Sequence, residues 1–264
     1  MRTTVKLPLE SNAAIIAFEY PPPLSDMPRF YCALPLQADR VVTLPDAVAR
    51  HAVGALRLRD GDAVTLFNGD GHEYAGILST GGHASVRLVA RLSPERESPL
   101  RVVLAQGISS GERMDLTVQK SVELGVAAIQ PLTMRRTIVR LSGDKLERRR
   151  AHWQAVAVSA CEQCGRNHVP SVAAIADFDT WRRDRPEDGS LGLMLDPEAE
   201  IGLGDLPRPE GGITLLAGPE GGVDPVERAQ ARAAGFVGVR LGPRILRTET
   251  AALAALAALQ TLWG

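Results

Sequence analysis

The alternation of apolar and polar positions changes character once along the chain. From Arg29 to about Leu92 the apolar runs are short and read as strands separated by glycine turns. Arg29–Ala33, Ala63–Phe67, Glu73–Leu78 and Ser85–Leu92 are predicted strands, and Asp46–Leu56 a short helix. Asn68-Gly69-Asp70-Gly71 is a strong hairpin signal. After the polar, proline-bracketed stretch Ser93–Pro99 the period lengthens. Apolar strands Val102–Gln106, Ala128–Leu132, Leu191–Leu195, Ile213–Leu216 and Val237–Leu241 alternate with helices over Glu112–Leu124, Asp144–Cys164 and Thr248–Trp263. Gly125 is placed to end the first of these helices. Short strands first, then alternating strands and helices, predict a small barrel followed by an α/β domain with a mostly parallel sheet. The divisions implied are an extension over 1–26 expected to be disordered, a barrel over 27–93, a linker over 94–99 and an α/β domain over 100–264. The extension ends in Pro21-Pro22-Pro23 before what reads as a fresh start at Met27.

Composition narrows this only slightly. The 264 residues carry 30 Lys+Arg against 31 Asp+Glu, so net charge gives no reason to expect a nucleic-acid partner, although a local basic face remains open. Arginine dominates the basic set, which favours forked contacts to phosphate or carboxylate. Three cysteines do not make a disulfide framework, so a reducing cytoplasm is expected. No apolar run reaches the length of a membrane span, and Ala13–Phe18 does not read as a secretion signal. No metal is expected. Cys161-Glu162-Gln163-Cys164 is metal-like in spacing, but a closed zinc site needs four ligands and only His168 and distant Cys32 could join. Packing of two small residues near a helix end is the better reading.

Two strand ends carry the candidate chemistry. Ala217-Gly218-Pro219-Glu220-Gly221-Gly222 follows one predicted strand, and Asp224-Pro225-Val226-Glu227 then opens a helix in capping-box style. Leu241-Gly242-Pro243-Arg244-Ile245-Leu246-Arg247-Thr248 follows another and enters the Ala/Leu-rich terminal helix. Glycine corners at strand ends are where an α/β protein holds a ligand. Neither corner has the Gly-Lys-Ser/Thr ending of a P-loop or the Gly-x-Gly-x-x-Gly dinucleotide spacing. A plain strand-to-helix turn is the competing reading of the first corner, and a buried core or subunit-contact helix that of the terminal helix after the second. Arg135, Arg136, Arg166 and Arg247 all fall at element ends and are expected to share one rim.

Taken in order, Gln119-Lys120-Ser121-Val122-Glu123-Leu124-Gly125-Val126, Ala160–Asn167, Gly218–Gly222 and Leu241–Ala251, with Met27-Pro28-Arg29-Phe30-Tyr31 at the front, resemble the bacterial small-subunit ribosomal RNA uridine-N3 methyltransferases, a SPOUT-class family. The resemblance spans Met27 to Gly264. It implies a PUA-like barrel, a parallel-sheet domain with a deep trefoil knot, and a homodimer. S-adenosyl-L-methionine is implied as methyl donor, and 16S rRNA in the assembled small ribosomal subunit as substrate. Carried over, the donor contacts are Leu195, Asp196, Gly218, Pro219, Glu220, Gly221, Leu241, Gly242, Pro243, Ile245, Leu246 and Thr248. The RNA contacts are Arg29, Lys120, Arg136 and Arg166, and the catalytic groups are Arg247, Arg135 and Glu249. Uracil N3 must lose a proton, either to a base (Glu249 or Glu220) or by arginine stabilisation of the anion. The rival readings are a ribose 2′-O-methyltransferase of transfer RNA in the same class and a catalytically silent RNA-binding relative.

Overall fold

The structure is a computed structural model that describes residues 27–185 and 188–264. The extension over 1–26 lies outside the described residues.

The first sheet has five strands in the order β1-β3-β4-β5-β2. They are β1 (Arg29–Tyr31), β2 (Val41–Thr43), β3 (Ala63–Phe67), β4 (Glu73–Ser79) and β5 (Ser85–Leu92). β3–β4 is the antiparallel hairpin that Asn68–Gly71 predicts, and β1 joins β3 in parallel. Alternate positions point inward, so Val64 and Leu66 of β3 meet Leu78, Val86 and Leu88 in a core with Phe30 and Tyr74. The expected helix over Asp46–Leu56 is one turn of α-helix, α1 (Asp46–Ala49), that widens into a π-helix over Arg50–Ala55. β2 is too short to register as a period in the sequence.

The second sheet is parallel throughout, in the order β12-β10-β11-β6-β7-β8 with β9 also beside β7. It comprises β6 (Val102–Gly107), β7 (Ala128–Thr133), β8 (Ser171–Val172), β9 (Ala176–Asp177), β10 (Leu191–Leu195), β11 (Ile213–Ala217) and β12 (Val237–Val239). The helices are α2 (Glu112–Glu123), α3 (Asp144–Cys164), α4 (Phe178–Arg183), α5 (Pro225–Ala233) and α6 (Thr248–Trp263). Neighbouring strand residues face opposite ways: Leu104, Leu193 and Leu215 enter one core with α2, α3 and α6, while Ala105, Met194 and Leu216 enter a second with Phe178 and Ala231. A sheet covered on both faces explains why its strands read as continuous apolar runs. Helix ends follow local chemistry. α3 stops at Gly165 in the left-handed region (φ 85°), and Asp224 accepts the Val226 amide at 3.0 Å to open α5.

Strand order places the site. β6 is central; the chain runs outward to β7 and β8, then returns to lay β11 and β10 on the other side. The carboxyl ends of β6, β10, β11 and β12 therefore meet at the point where the order reverses, which opens a crevice in such sheets.

The polar stretch before β6 is no free tether. Glu73, 0% exposed, accepts hydrogen bonds from Arg29 and from Arg96 (2.7 Å), and Arg96 also donates to the Gly165 carbonyl at 2.8 Å. Arg166 donates to the carbonyls of Val122 and Val126 at 2.9 Å each and pairs with Glu97. The hairpin tip docks on the same loop: a Cβ on Gly71 would lie 2.6 Å from His168 Nε2. These contacts involve two of the expected RNA contacts. Arg29 also bonds Asn167 Oδ1 at 2.7 Å and stacks over the Phe67 ring, and Arg166 spends its guanidinium inside the joint. Arg29 ties the first sheet to the loop after α3, and Arg166 ties that loop to Glu97 and the end of α2, so both guanidiniums are engaged within the protein.

Candidate active site at the strand ends

A cavity of about 450 Å³ lies where those loops meet. Its wall holds Leu195 and Asp196 after β10, Gly218, Pro219, Glu220 and Gly221 after β11, and Leu241, Gly242, Ile245, Leu246 and Thr248 leading into α6. Every predicted donor contact except Pro243 borders it. Much of the wall is backbone, with Val239 and Leu246 as apolar surface and Arg136, Glu198, Arg228 and Arg244 as charged groups around it. Side chains are excluded where the wall is tightest. A Cβ on Gly218 would come within 2.7 Å of the Val223 amide nitrogen, and one on Gly221 within 2.9 Å of Arg136 Cβ.

Hydrogen bonds hold the loops to one another. The Gln106 amide donates to the Gly218 carbonyl at 3.2 Å and to Thr248 Oγ1 at 3.0 Å, and the Thr248 hydroxyl donates to the same carbonyl. Buried Gln106 thus ties the ends of β6 and β11 to the start of α6. Glu220 Oε1 accepts the Ser110 amide at 2.7 Å and hydroxyl at 2.8 Å, with Arg113 at 3.3 Å. Burial pushes the Glu220 carboxyl up, but the Ser110 and Arg113 donors outweigh it and leave it below its ordinary value. Its Oε1 is thus committed to the Ser110 loop, while its Oε2 is buried and unpartnered. Asp196 is nearly fully buried and holds Arg232 at 3.0 Å and Arg228 at 3.4 Å, so it organises the wall.

The arginines divide. Arg136 donates to the Gly221 carbonyl at 3.0 Å and borders the cavity. Arg135 is exposed beside it, its amide held by Glu227 Oε1 at 2.8 Å. Burial pushes the Glu227 carboxyl above its ordinary value, and the Arg135 amide offsets part of that. Arg247 is the exposed N-cap residue of α6, between the cavity residues Leu246 and Thr248. Glu249 follows in the first turn of α6, with Oε2 buried and unpartnered. Lys120 pairs with Glu123 at 2.7 Å on α2 and does not border the cavity. Of these arginines Arg136 borders the cavity, Arg135 and Arg247 are exposed next to lining residues in sequence, and Arg166 is buried away from it. Gln106, Gly107, Ser110 and Arg113 carry no local motif and are identified only by contacts from more than a hundred residues away.

Cys161 is buried, its thiol pushed up to about 12 by burial, and acts as an inert packing group. Among the described residues no group of His, Cys, Asp and Glu is arranged to hold a metal ion, and no helix is long and apolar enough to cross a membrane.

A parallel sheet with a glycine-walled cavity at its strand ends is the arrangement of a ligand-binding α/β protein, here preceded by a small β-sheet domain. Residues 96–260 match the family described as RNA methyltransferase domain, and residues 44–89 match the RNA methyltransferase PUA domain. Over 240 residues the chain is 32% identical to the ribosomal RNA small subunit methyltransferase E of Buchnera aphidicola (strain Sg), covering 90% of this chain and 97% of that one. The Bacillus subtilis protein of the same name is 30% identical over 79% of this chain and 85% of its own. The crystal structure of the Neisseria gonorrhoeae enzyme bound to S-adenosyl methionine superposes with a TM-score of 0.86 at 46% identity, covering 90% of this chain and 98% of that one. A methyltransferase from Legionella pneumophila in complex with the same cofactor gives 0.85 at 38%, covering 89% and 98%. The chain belongs to the ribosomal RNA small subunit methyltransferase E family.

Proposed function

We propose that the chain methylates N3 of a uridine in the decoding region of 16S rRNA, in the assembled small subunit, using S-adenosyl-L-methionine. The observation that carries this reading is the convergence of the Leu195, Gly218 and Leu241 loops on one cavity, inside a chain of this family. The cavity fits such a donor. Its volume lies in the range of small-molecule sites. Its wall has glycines where a Cβ would collide, aliphatic surface for a nucleoside, and charges of both signs for an amino-acid moiety. When bound, the donor supplies a methyl group on a sulfonium, open to in-line attack.

The chain's own residues supply the rest. Gln106 and Thr248 fix the Gly218 carbonyl, and Pro219 through Gly221 with Leu241, Gly242 and Leu246 form the wall that holds the donor. Arg247 and Arg135 stabilise the uracil as it loses its N3 proton, and Glu249, with an unpartnered oxygen, takes that proton. Arg136 and exposed arginines on and around the first sheet (Arg87 on β5, Arg50 on the π-helix, and Arg40, Arg57 and Arg59 in loops) bind RNA phosphates. A trefoil knot through the strand-end loops, a homodimer joined through α6 and a cytoplasmic location complete the reading. Leu262 on α6 and Leu116 on α2, both exposed, support the dimer. The observation disfavouring a ribose methyltransferase of transfer RNA is the matched PUA domain together with relatives named for the small ribosomal subunit.

Arg247→Ala is expected to slow single-turnover methylation of small subunits roughly ten- to a hundredfold, the scale for one charge-stabilising donor at a partly exposed position. Calorimetry should show donor affinity nearly unchanged. Unaltered turnover, or loss confined to donor affinity, would count against the role. Affinity for small subunits is expected to fall steeply as salt rises, because arginine–phosphate contacts release counterions. A flat titration between low and physiological salt would contradict the phosphate assignment.

A further inference from the structure

Two segments that border the cavity share a pattern of which the methyl-transfer reading uses only Arg135, Arg136 and Arg247. Residues 133–141 and 240–248 contain six arginines between them (Arg135, Arg136, Arg140, Arg240, Arg244 and Arg247) and no acid. Each also carries one large aliphatic side chain in solvent: Ile138 is 71% exposed and Ile245 86% exposed, the two highest values among the large hydrophobic residues described. Arg136 from the first segment and Arg244 and Ile245 from the second border the same cavity. Arg140 and Arg244 are exposed and form no ion pair among the described residues.

A single exposed isoleucine is ordinary on a protein surface. Here its setting argues for a partner. A protein surface docking on this rim would need carboxylates for the guanidiniums and a contiguous apolar face, whereas these aliphatic groups stand singly among cations. Nucleic acid offers the complement, with phosphates for arginine forks and base faces for aliphatic groups. Methylating an atom on the pairing edge of a base also requires that base to leave its stack, and the vacated space favours an apolar side chain.

We propose that this rim receives the RNA, and that Ile245 fills the gap left in the stack when the target uridine turns into the cavity, with Arg244 and Arg140 on flanking phosphates. The inference rests on the methyltransferase reading above. With 86% of its surface in solvent, Ile245 contributes little to the cavity wall beyond its backbone, which frees its side chain for this task. Ile138 on the opposite segment supports the neighbouring base.

The test uses the full chain, S-adenosylmethionine and small ribosomal subunits that lack the modification. Ile245→Ala should lower the single-turnover rate roughly tenfold or more, the scale expected when part of an unstacking cost is no longer offset. Donor affinity by calorimetry and mass by sedimentation should stay as in the wild type. Ile245→Leu should restore the rate and Ile245→Asn should not, because volume alone is insufficient without an apolar surface. An unchanged rate overturns the proposal. So does a parallel loss of donor affinity, which would make Ile245 a donor-wall residue, or a change in mass, which would make it a subunit contact. A wild-type chain that binds donor but methylates no small-subunit RNA overturns the substrate reading and this inference together; one that binds no donor overturns the methyltransferase reading first.

Discussion

Glu73→Ala is expected to lower the free energy of unfolding by about 3–5 kcal/mol, the range for removing one partner of a buried ion pair. Glu73 is 0% exposed, and its carboxylate receives Arg29 and Arg96, with Asn167 close by. Removing it leaves the Arg29 guanidinium, itself 6% exposed, buried against a cavity with no counter-charge. Burial pushes the Glu73 carboxyl up, but the Arg96 and Arg29 hydrogen bonds and charges outweigh it and hold it below its ordinary value. Linkage then fixes the direction of the pH effect. A carboxyl whose folded value is depressed contributes stability that is fully present above its unfolded value of 4.5 and is lost as pH falls through the folded one. Denaturant titrations of the wild type and Glu73→Gln should therefore differ most at neutral pH and converge in acid. A gap that stays constant down to pH values well below 4.5 would show that the carboxylate charge is not what holds this joint.

The partners at that joint were not legible in the sequence, for a definite reason. Arg29 and Arg166 sit at element ends, where unpaired arginines are usually solvated or bind anions. Only the fold brings Glu73, Glu97 and the Val122 and Val126 carbonyls to them, from 40 or more residues away. Locally encoded features were legible. α3 and α6 have the predicted bounds because their ends carry their own signals, such as the left-handed Gly165. β3, β5 and β10 match because alternation or a short apolar run suffices. β8 and β9, two residues each, exist only because β7 pairs with them, and no window of their own sequence could reveal that. The site was legible to the same extent. Gly218 and Gly242 punctuate strand ends visibly, whereas Gln106 and Gly107 look like the tail of an ordinary apolar strand.

Gly107→Ala tests that hidden half of the site and is expected to weaken S-adenosylmethionine binding roughly ten- to a hundredfold, an overpacking cost converted to affinity. A Cβ at Gly107 would lie 2.5 Å from both the nitrogen and Cδ of Pro219, and 2.9 Å from the Gly218 carbonyl carbon. These are backbone and ring atoms, which cannot rotate aside as the end of a long side chain can. Gly107 cannot retreat, because it is paired with Leu132 on β7, and the next amide, Ile108, donates to the Leu132 carbonyl at 2.9 Å. Pro219 must therefore move, and it belongs to the cavity wall. The Gly218 carbonyl would shift with it, away from the Thr248 hydroxyl and the Gln106 amide that now hold it. One methyl group at the end of β6 thus displaces a loop that begins more than a hundred residues later. Gly204→Ala is the matched control, because its added Cβ meets nothing within 4 Å and its φ is not positive. The control should bind donor like the wild type in calorimetry. Gly107→Ala should fail to do so while keeping a cooperative thermal transition, since the collision lies at the strand end and outside both apolar cores. Equal donor affinity in Gly107→Ala, Gly204→Ala and the wild type would mean that the Pro219 wall does not bear on the donor, and would move the binding site away from this cavity.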